Sequence, residues 1–176
     1  SDVYKRQNVC NFAISRCGED NSQLSNKMKR IKGQVLFLRG LSYYNLVGYY
    51  QNPPLITDYA TYSSLDGLYT TNSTYDNVLD QVEKDFHEAM ELLPSRDEGG
   101  EWAGGRATCG AAAGYYARAL MMRQKYSDAL TVLKDIIGKK YGTYRLMSNY
   151  GDNFREGSAY ENNAESLFEV QYLDYG

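Results

Sequence analysis

Histidine is nearly missing from this sequence: His87 is the only one in 176 residues. The three cysteines include no CxxC pair, so the chain lacks the ligands of a zinc site. They form no disulfide framework either. Cys10 and Cys17 are seven positions apart, which on one helix displaces them by about 10 Å along the axis, beyond the reach of a bridge. Cys109 stands alone, and redox compartment stays unread. A basic surplus is also lacking. With 19 Lys and Arg against 22 Asp and Glu, the net charge of −3 excludes the basic face that nucleic-acid binding needs. The one basic cluster, Lys27, Lys29, Arg30 and Lys32, is too short to hold a polyanion and reads as the solvated start of a helix. No run reaches the roughly 18 apolar residues of a membrane span. The opening SDVYKRQNVC has no apolar stretch before Cys10, so it reads neither as a signal peptide nor as a site of lipidation.

What is present is one domain's worth of amphipathic helix, rich in tyrosine. The first expected helix covers Val9 to Cys17 and stops at Gly18. The second runs from Ser25 to Tyr50, with Ile31, Val35, Leu38, Leu41 or Ser42, Asn45 or Leu46, and Tyr49 as its buried stripe. Pro53 and Pro54 end it. The third starts at Ser73 or Thr74, carries Asp76 in its first turn, and buries Val78, Val82, Phe86, Ala89 and Leu93 before Pro94. The fourth, Thr108 to Arg123, is apolar nearly all round and reads as central. Tyr126 to Ile137 make the fifth, closed by Gly138. Ser166 to Tyr172 read as a short strand.

Helices four and five look like one tetratricopeptide unit. Ala117 and Ala129 are the small residues at their crossing, and Tyr126, Leu133 and Ile136 fill the large positions around it. Helices two and three repeat the idea with Gly40 and Ala89. The gap between them, Gln51 to Asn72, is too long for a plain repeat and reads as functional or disordered. The expected fold is therefore all-α: tetratricopeptide-like helical hairpins with long inter-helix loops and a short C-terminal strand. SDVYKRQ resembles a translated sequencing-adapter remnant, and the apolar segment at the other end stops without a partner. The expected organisation is a partial helical domain over residues 8–176, with residues 1–7 non-native, in an internal fragment.

Four stretches carry a family resemblance, in matching order and spacing. GQVLFLRGLSYYNLVGYYQNPPLIT resembles the long helix of the SusD/RagB family of nutrient-binding outer-membrane lipoproteins, with its proline exit. VEKDFHEAMELLP is similar to that family's D-L-x-x-A-x-x-L-L-P helix. GRATCGAAAGYYARAL resembles its G-R-A-T segment, and NNAESLFEVQY its N-x-E-x-I-F-E-I-Q-Y strand. The departures are Cys109 where lysine is common, Gly40 where alanine is usual, and Pro53 where a small residue precedes the proline. The resemblance spans nearly everything after Gln7, about the first half of the family's domain. It implies a Bacteroidetes-type surface protein that captures glycan, oligosaccharide or another nutrient and delivers it to a SusC-like TonB-dependent transporter. It also implies localisation at the outer membrane, through a lipid anchor that this chain does not carry. No enzyme activity, cofactor, metal or nucleic-acid partner is expected. The alternative is a generic tetratricopeptide-type protein–protein interaction scaffold.

Aromatic rings with polar rims suit the C–H faces of sugars. Loop residues Tyr59, Tyr62, Tyr69 and Trp102 are the candidate ligand contacts, weighed against the plainer role of pinning their loops. Tyrosines 43, 44, 49, 50, 115, 116 and 126 recur at helical spacing and read as packing. GGEWAGGRATCG fails as a phosphate loop, because no strand leads in and the lysine is absent. In its place, Gly104 and Gly105 turn the chain, Thr108 caps the helix, and Arg106 pairs with nearby acids or carbonyls. Glu83 and His87, four apart, read as a surface pair without catalytic company.

Overall fold

The structure, a computed structural model, describes residues 2–62, 64, 69–102, 104–157 and 160–170, without the side chains of residues 2–4 and of Tyr62. Its helices are α1 (Asp2–Cys17), α2 (Asn26–Tyr50), the single turn α3 (Tyr59–Tyr62), α4 (Tyr75–Leu92), α5 (Cys109–Met122) and α6 (Tyr126–Ile137). Local chemistry sets their starts. Ser25, Thr74 and Thr108 each accept a backbone N–H of the first turn, from Met28, Asn77 and Ala111 in that order. The α1 helix begins seven residues earlier than expected.

Successive long helices pack side by side, α1 on α2, α2 on α4, α4 on α5 and α5 on α6. The face of α4 is as expected: Val78, Val82, Phe86, Ala89 and Leu93 are all buried. So is the α5–α6 crossing, where Ala117 and Ala129 share one cluster with Ala113, Leu120, Val132 and Ile136. Tyr126 and Leu133 do not fill that contact; both are exposed. At the α2–α4 crossing, a side chain on Gly40 would stand 3.1 Å from the Phe86 ring, so the small residue sets how closely the helices approach.

The stripe expected on α2 is buried only in part. Leu41, Ser42 and Leu46 of it face inward, with Leu36, Phe37, Arg39, Tyr43 and Val47, whereas Ile31, Leu38, Asn45 and Tyr49 face outward. Apolar residues surround this helix, so spacing could not choose a face, and the choice falls to a buried ion pair described below. Lys32 leaves the basic cluster for the interior: its ammonium donates to the Gly18 carbonyl at 3.0 Å and to Asn21 Oδ1 at 2.8 Å, and it pairs with Glu88 at 3.1 Å.

The expected strand is absent from its described part, Ser166–Val170; residues 171 and 172 lie outside the described residues. The carbonyls of Asn162, Asn163 and Ser166 accept from the Arg96 guanidinium rather than from a neighbouring strand. Phe168 packs its ring 4.9 Å from that of Phe37, so the segment still covers the core.

Candidate functional site

The long gap after α2 is rooted rather than loose. Gln51 leaves the helix in the left-handed region, at φ 60°, and the two prolines carry the chain away. The backbone then returns to the scaffold. The Tyr43 phenol donates to the Ile56 carbonyl at 2.7 Å and accepts the Ile56 N–H at 2.8 Å. Asn11 of α1 donates to the same carbonyl at 2.8 Å, and Arg39 of α2 donates to the Thr57 carbonyl at 3.3 Å. Ser73 N–H donates to the Pro53 carbonyl at 3.2 Å, closing the base of the loop just before α4.

Beneath this root lies a buried polar cluster. Arg39 holds Asp85 of α4 with two bonds, Nε to Oδ2 at 2.8 Å and Nη2 to Oδ1 at 2.7 Å, and also donates to Asn11 Oδ1 at 3.1 Å. Gln81 adds a donor to Asp85 at 2.7 Å. Burial pushes the Asp85 carboxyl up, against the pull of these donors, and the bonds to Asp85 outweigh burial to lift Arg39 above its usual value. Every strong partner is present, so the pair is a satisfied scaffold element joining α1, α2, α4 and the loop.

The loop displays aromatic side chains from this root. Asp58 accepts from the N–H and hydroxyl of Thr61 and so shapes the α3 turn. Tyr59 is half-buried, its ring edge-on to Phe12 at 5.0 Å. Tyr69 is 84% exposed. The side chain of Tyr62 lies outside the described residues. Trp102 is only 6% exposed, with the Arg30 and Arg106 guanidinium carbons 5.5 and 5.6 Å from its ring. Tyr59 borders an open groove of about 1220 Å³ between α1, α2 and α4, whereas Trp102 borders a separate one of about 710 Å³ beside Ile31 and Val35. The structure therefore does not gather the four candidates into one site. Three helical tyrosines read as packing are instead exposed: Tyr49, Tyr50 and Tyr126. Two of them stand on the last turn of α2, where the loop departs. Because the last turn had the same spacing as the rest of α2, nothing in the pattern marked it.

The remaining candidates resolve simply. Arg106 pairs with Glu101 at 3.1 Å, as expected. Glu83 turns to Lys125 at 2.7 Å and Arg123 at 3.3 Å, and His87 to Glu91 at 3.9 Å, so the expected Glu83–His87 pair does not form. Burial pushes the Cys10 and Cys109 thiols up to about 11, far from nucleophilic character. Among the described residues no group of three or more His, Cys, Asp and Glu could hold a metal, and no helix is long and apolar enough to cross a membrane.

Residues 1–121 match the model of a SusD-like family described as starch-binding and associating with the outer membrane. No curated protein matches the chain. Among solved structures, a SusD-like carbohydrate-binding protein from Bacteroides fragilis superposes with a TM-score of 0.83 at 26% identity, over 97% of this chain and 32% of that one. A laminarin-binding SusD-like protein gives a TM-score of 0.77 at 25% identity, over 95% of this chain and 36% of that one. Surface glycan-binding protein A from Bacteroides thetaiotaomicron, solved with laminarihexaose, shares the fold at a TM-score of 0.77 and 24% identity, over 97% of this chain and 34% of that one. The chain spans about a third of the length of these structures.

Proposed function

The chain belongs to the SusD-like family, and from that membership we propose that the protein captures glycan at the bacterial cell surface without turning it over. The rooted loop is the observation that carries this reading. A binding loop must be held still to bind well, because ordering it on binding opposes affinity. Here Tyr43, Asn11 and Arg39 fix the loop's backbone before any ligand arrives. The aromatic rings it presents, with Thr57 and Asp58 beside Tyr59 on the same groove, offer the stacking face and polar rim that a sugar ring uses. Laminarin binding by a relative at 25% identity supports an oligosaccharide ligand.

In this reading the protein sits on the outer membrane through a lipid anchor and passes its ligand to a SusC-like TonB-dependent transporter. Isothermal titration of the complete gene product with laminarihexaose and with maltoheptaose tests the capture step. Saturable heat with recovery of uncleaved sugar is expected. Absence of binding across a broad glycan panel, or release of shorter products, would overturn it. Co-purification of the membrane-embedded protein with a transporter barrel tests delivery separately.

A further inference from the structure

The groove that Tyr59 borders is uneven in charge. Carboxylates line it from Glu19, Asp58, Asp80, Glu83, Glu88 and Glu91, against the cations Lys32, Arg39 and Lys84. Most of these charges meet a partner. Lys32 faces Glu88 at 3.1 Å and Arg39 faces Asp85 at 2.7 Å, so both buried cations are matched before they reach the opening. Arg123 takes Asp80 and, at 3.3 Å, Glu83, which Lys125 also holds at 2.7 Å. Asp58, Glu19 and Glu91 are left. Asp58 accepts from neutral donors, the N–H and hydroxyl of Thr61, which hold its carboxyl below its ordinary value of 3.8 and keep it charged. Glu91 lies 3.9 Å from His87, and neither it nor Glu19 has a Lys or Arg partner among the described residues. The remaining cation, Lys84, acts on Glu88. The sign is local, because the groove beside Trp102 carries Lys27, Arg30 and Arg106 against Glu101.

We propose that the Tyr59 groove admits uncharged oligosaccharide and turns away glycan that carries carboxylate or sulfate. The inference rests on the capture reading above and adds the substrate class to it. A tyrosine ring stacks on the C–H face of a hexose and of its uronic acid alike, so stacking cannot choose between them. The two sugars differ at one carbon, where a primary hydroxyl gives way to a carboxylate. That hydroxyl can donate to a carboxylate of the groove. An ionised sugar carboxylate accepts only, and meets groups of its own kind and charge. A cleft lined by one sign of charge focuses its field, and specificity comes from such a repulsive element as much as from the attractive ones.

Titration of the complete gene product at pH 7 tests this with matched sugars. Laminarihexaose and maltoheptaose are each compared with their own C6-oxidised form, in which carboxylates replace the primary hydroxyls. We expect the oxidised form of the sugar that binds to be at least about 30-fold weaker at low salt, as like charges brought together require. The comparison is made in about 10 mM salt, where charges act over about 30 Å, and in about 1 M salt, where they act over about 3 Å. High salt should close most of the gap, which a steric mismatch would not do. Glu19→Gln combined with Glu91→Gln removes two exposed carboxylates and should tighten binding of the oxidised sugar at least about fivefold at low salt. Equal affinity for the two forms would overturn the charge selection and leave the capture reading standing. So would a gap that neither salt nor the double variant moves. Absence of binding by both sugars and both oxidised forms would remove the glycan site itself, and this inference with it.

Discussion

The phenolic oxygen of Tyr43 bonds both polar groups of one residue, the Ile56 carbonyl at 2.7 Å and the Ile56 amide at 2.8 Å. One side chain thus satisfies the backbone of the loop at the point where it recrosses the scaffold. Tyr43→Phe keeps the ring and removes the bonds, leaving the Ile56 amide without its partner. A cost of about 1–3 kcal/mol in denaturant unfolding is expected. Hydrogen exchange should quicken at Ile56 while the amides of α4 keep their protection. A variant as stable as the parent would show that the loop is held elsewhere.

Arg39 and Asp85 predict a different pattern, because each is costly to leave alone. Asp85→Ala strands a buried guanidinium, and Arg39→Met strands a carboxylate; each is expected to destabilise by about 3–5 kcal/mol. Exchanging both, as Arg39→Met with Asp85→Leu, should recover much of that loss, since two apolar groups need no partners. A double-mutant cycle in urea measures the coupling. Additive losses would mean that the two side chains act independently.

This pair also shows where the sequence was legible. The faces of α4 and α5–α6 could be read because their buried residues are apolar and small at regular steps, from Val78 to Leu93 and at Ala117 and Ala129. On α2 the inward face carries Lys32, Arg39 and Ser42, and the apolar Ile31 and Leu38 lie outside it, so periodicity found only part of the buried stripe. A charged residue reads as solvent-facing until its partner is known, and the partners Asp85 and Glu88 lie over 40 positions downstream. The loop root was hidden for the same reason, since tyrosine among tyrosines does not reveal which phenol meets a backbone. Trp102 stood in a glycine-rich stretch that reads as an open loop, yet two arginines and the core enclose it.

Ala117 and Ala129 meet at the α5–α6 crossing with almost no free surface. Leucine at either position should overpack the contact and cost about 1–3 kcal/mol. Thr131→Leu, on the exposed side of α6, serves as the control and should change stability by less than about 0.5 kcal/mol. Unchanged melting in both alanine variants would mean that the two helices do not cross there.

Glu88 supplies the acid-side prediction. Burial acts to raise its pKa, but bonds from Asn21 and Lys32 and the Lys32 charge outweigh it and hold the carboxyl below its ordinary value of 4.5. The unfolded chain therefore binds this proton more readily than the folded one. The stabilisation is complete above about pH 4.5 and drains away as pH falls through the lower folded value. Thermal melts from pH 6 to pH 3 should show this loss in the parent and a shallower one in Glu88→Gln. Parallel curves would remove Glu88 from the acid response.

The aromatic residues Trp102, Tyr59 and Tyr69 separate bracing from binding. Trp102 is enclosed, so Trp102→Ala should open a cavity and destabilise by about 3–5 kcal/mol. Any loss of affinity should then follow the loss of fold. Tyr69 is 84% exposed and contributes little packing, so Tyr69→Ala should melt as the parent does. If its ring stacks on sugar, the loss of that contact costs on the order of 1 kcal/mol, about fivefold in Kd. Tyr59 lies between these cases, because its edge contact with Phe12 ties the α3 turn to α1. Tyr59→Phe keeps the ring and removes only the hydroxyl, whereas Tyr59→Ala removes the stacking surface as well. Titration with laminarihexaose alongside thermal melts of all four variants gives the two readings separately. Normal affinity in Tyr59→Ala and Tyr69→Ala, with early melting in Trp102→Ala alone, would place the glycan contacts outside these loops.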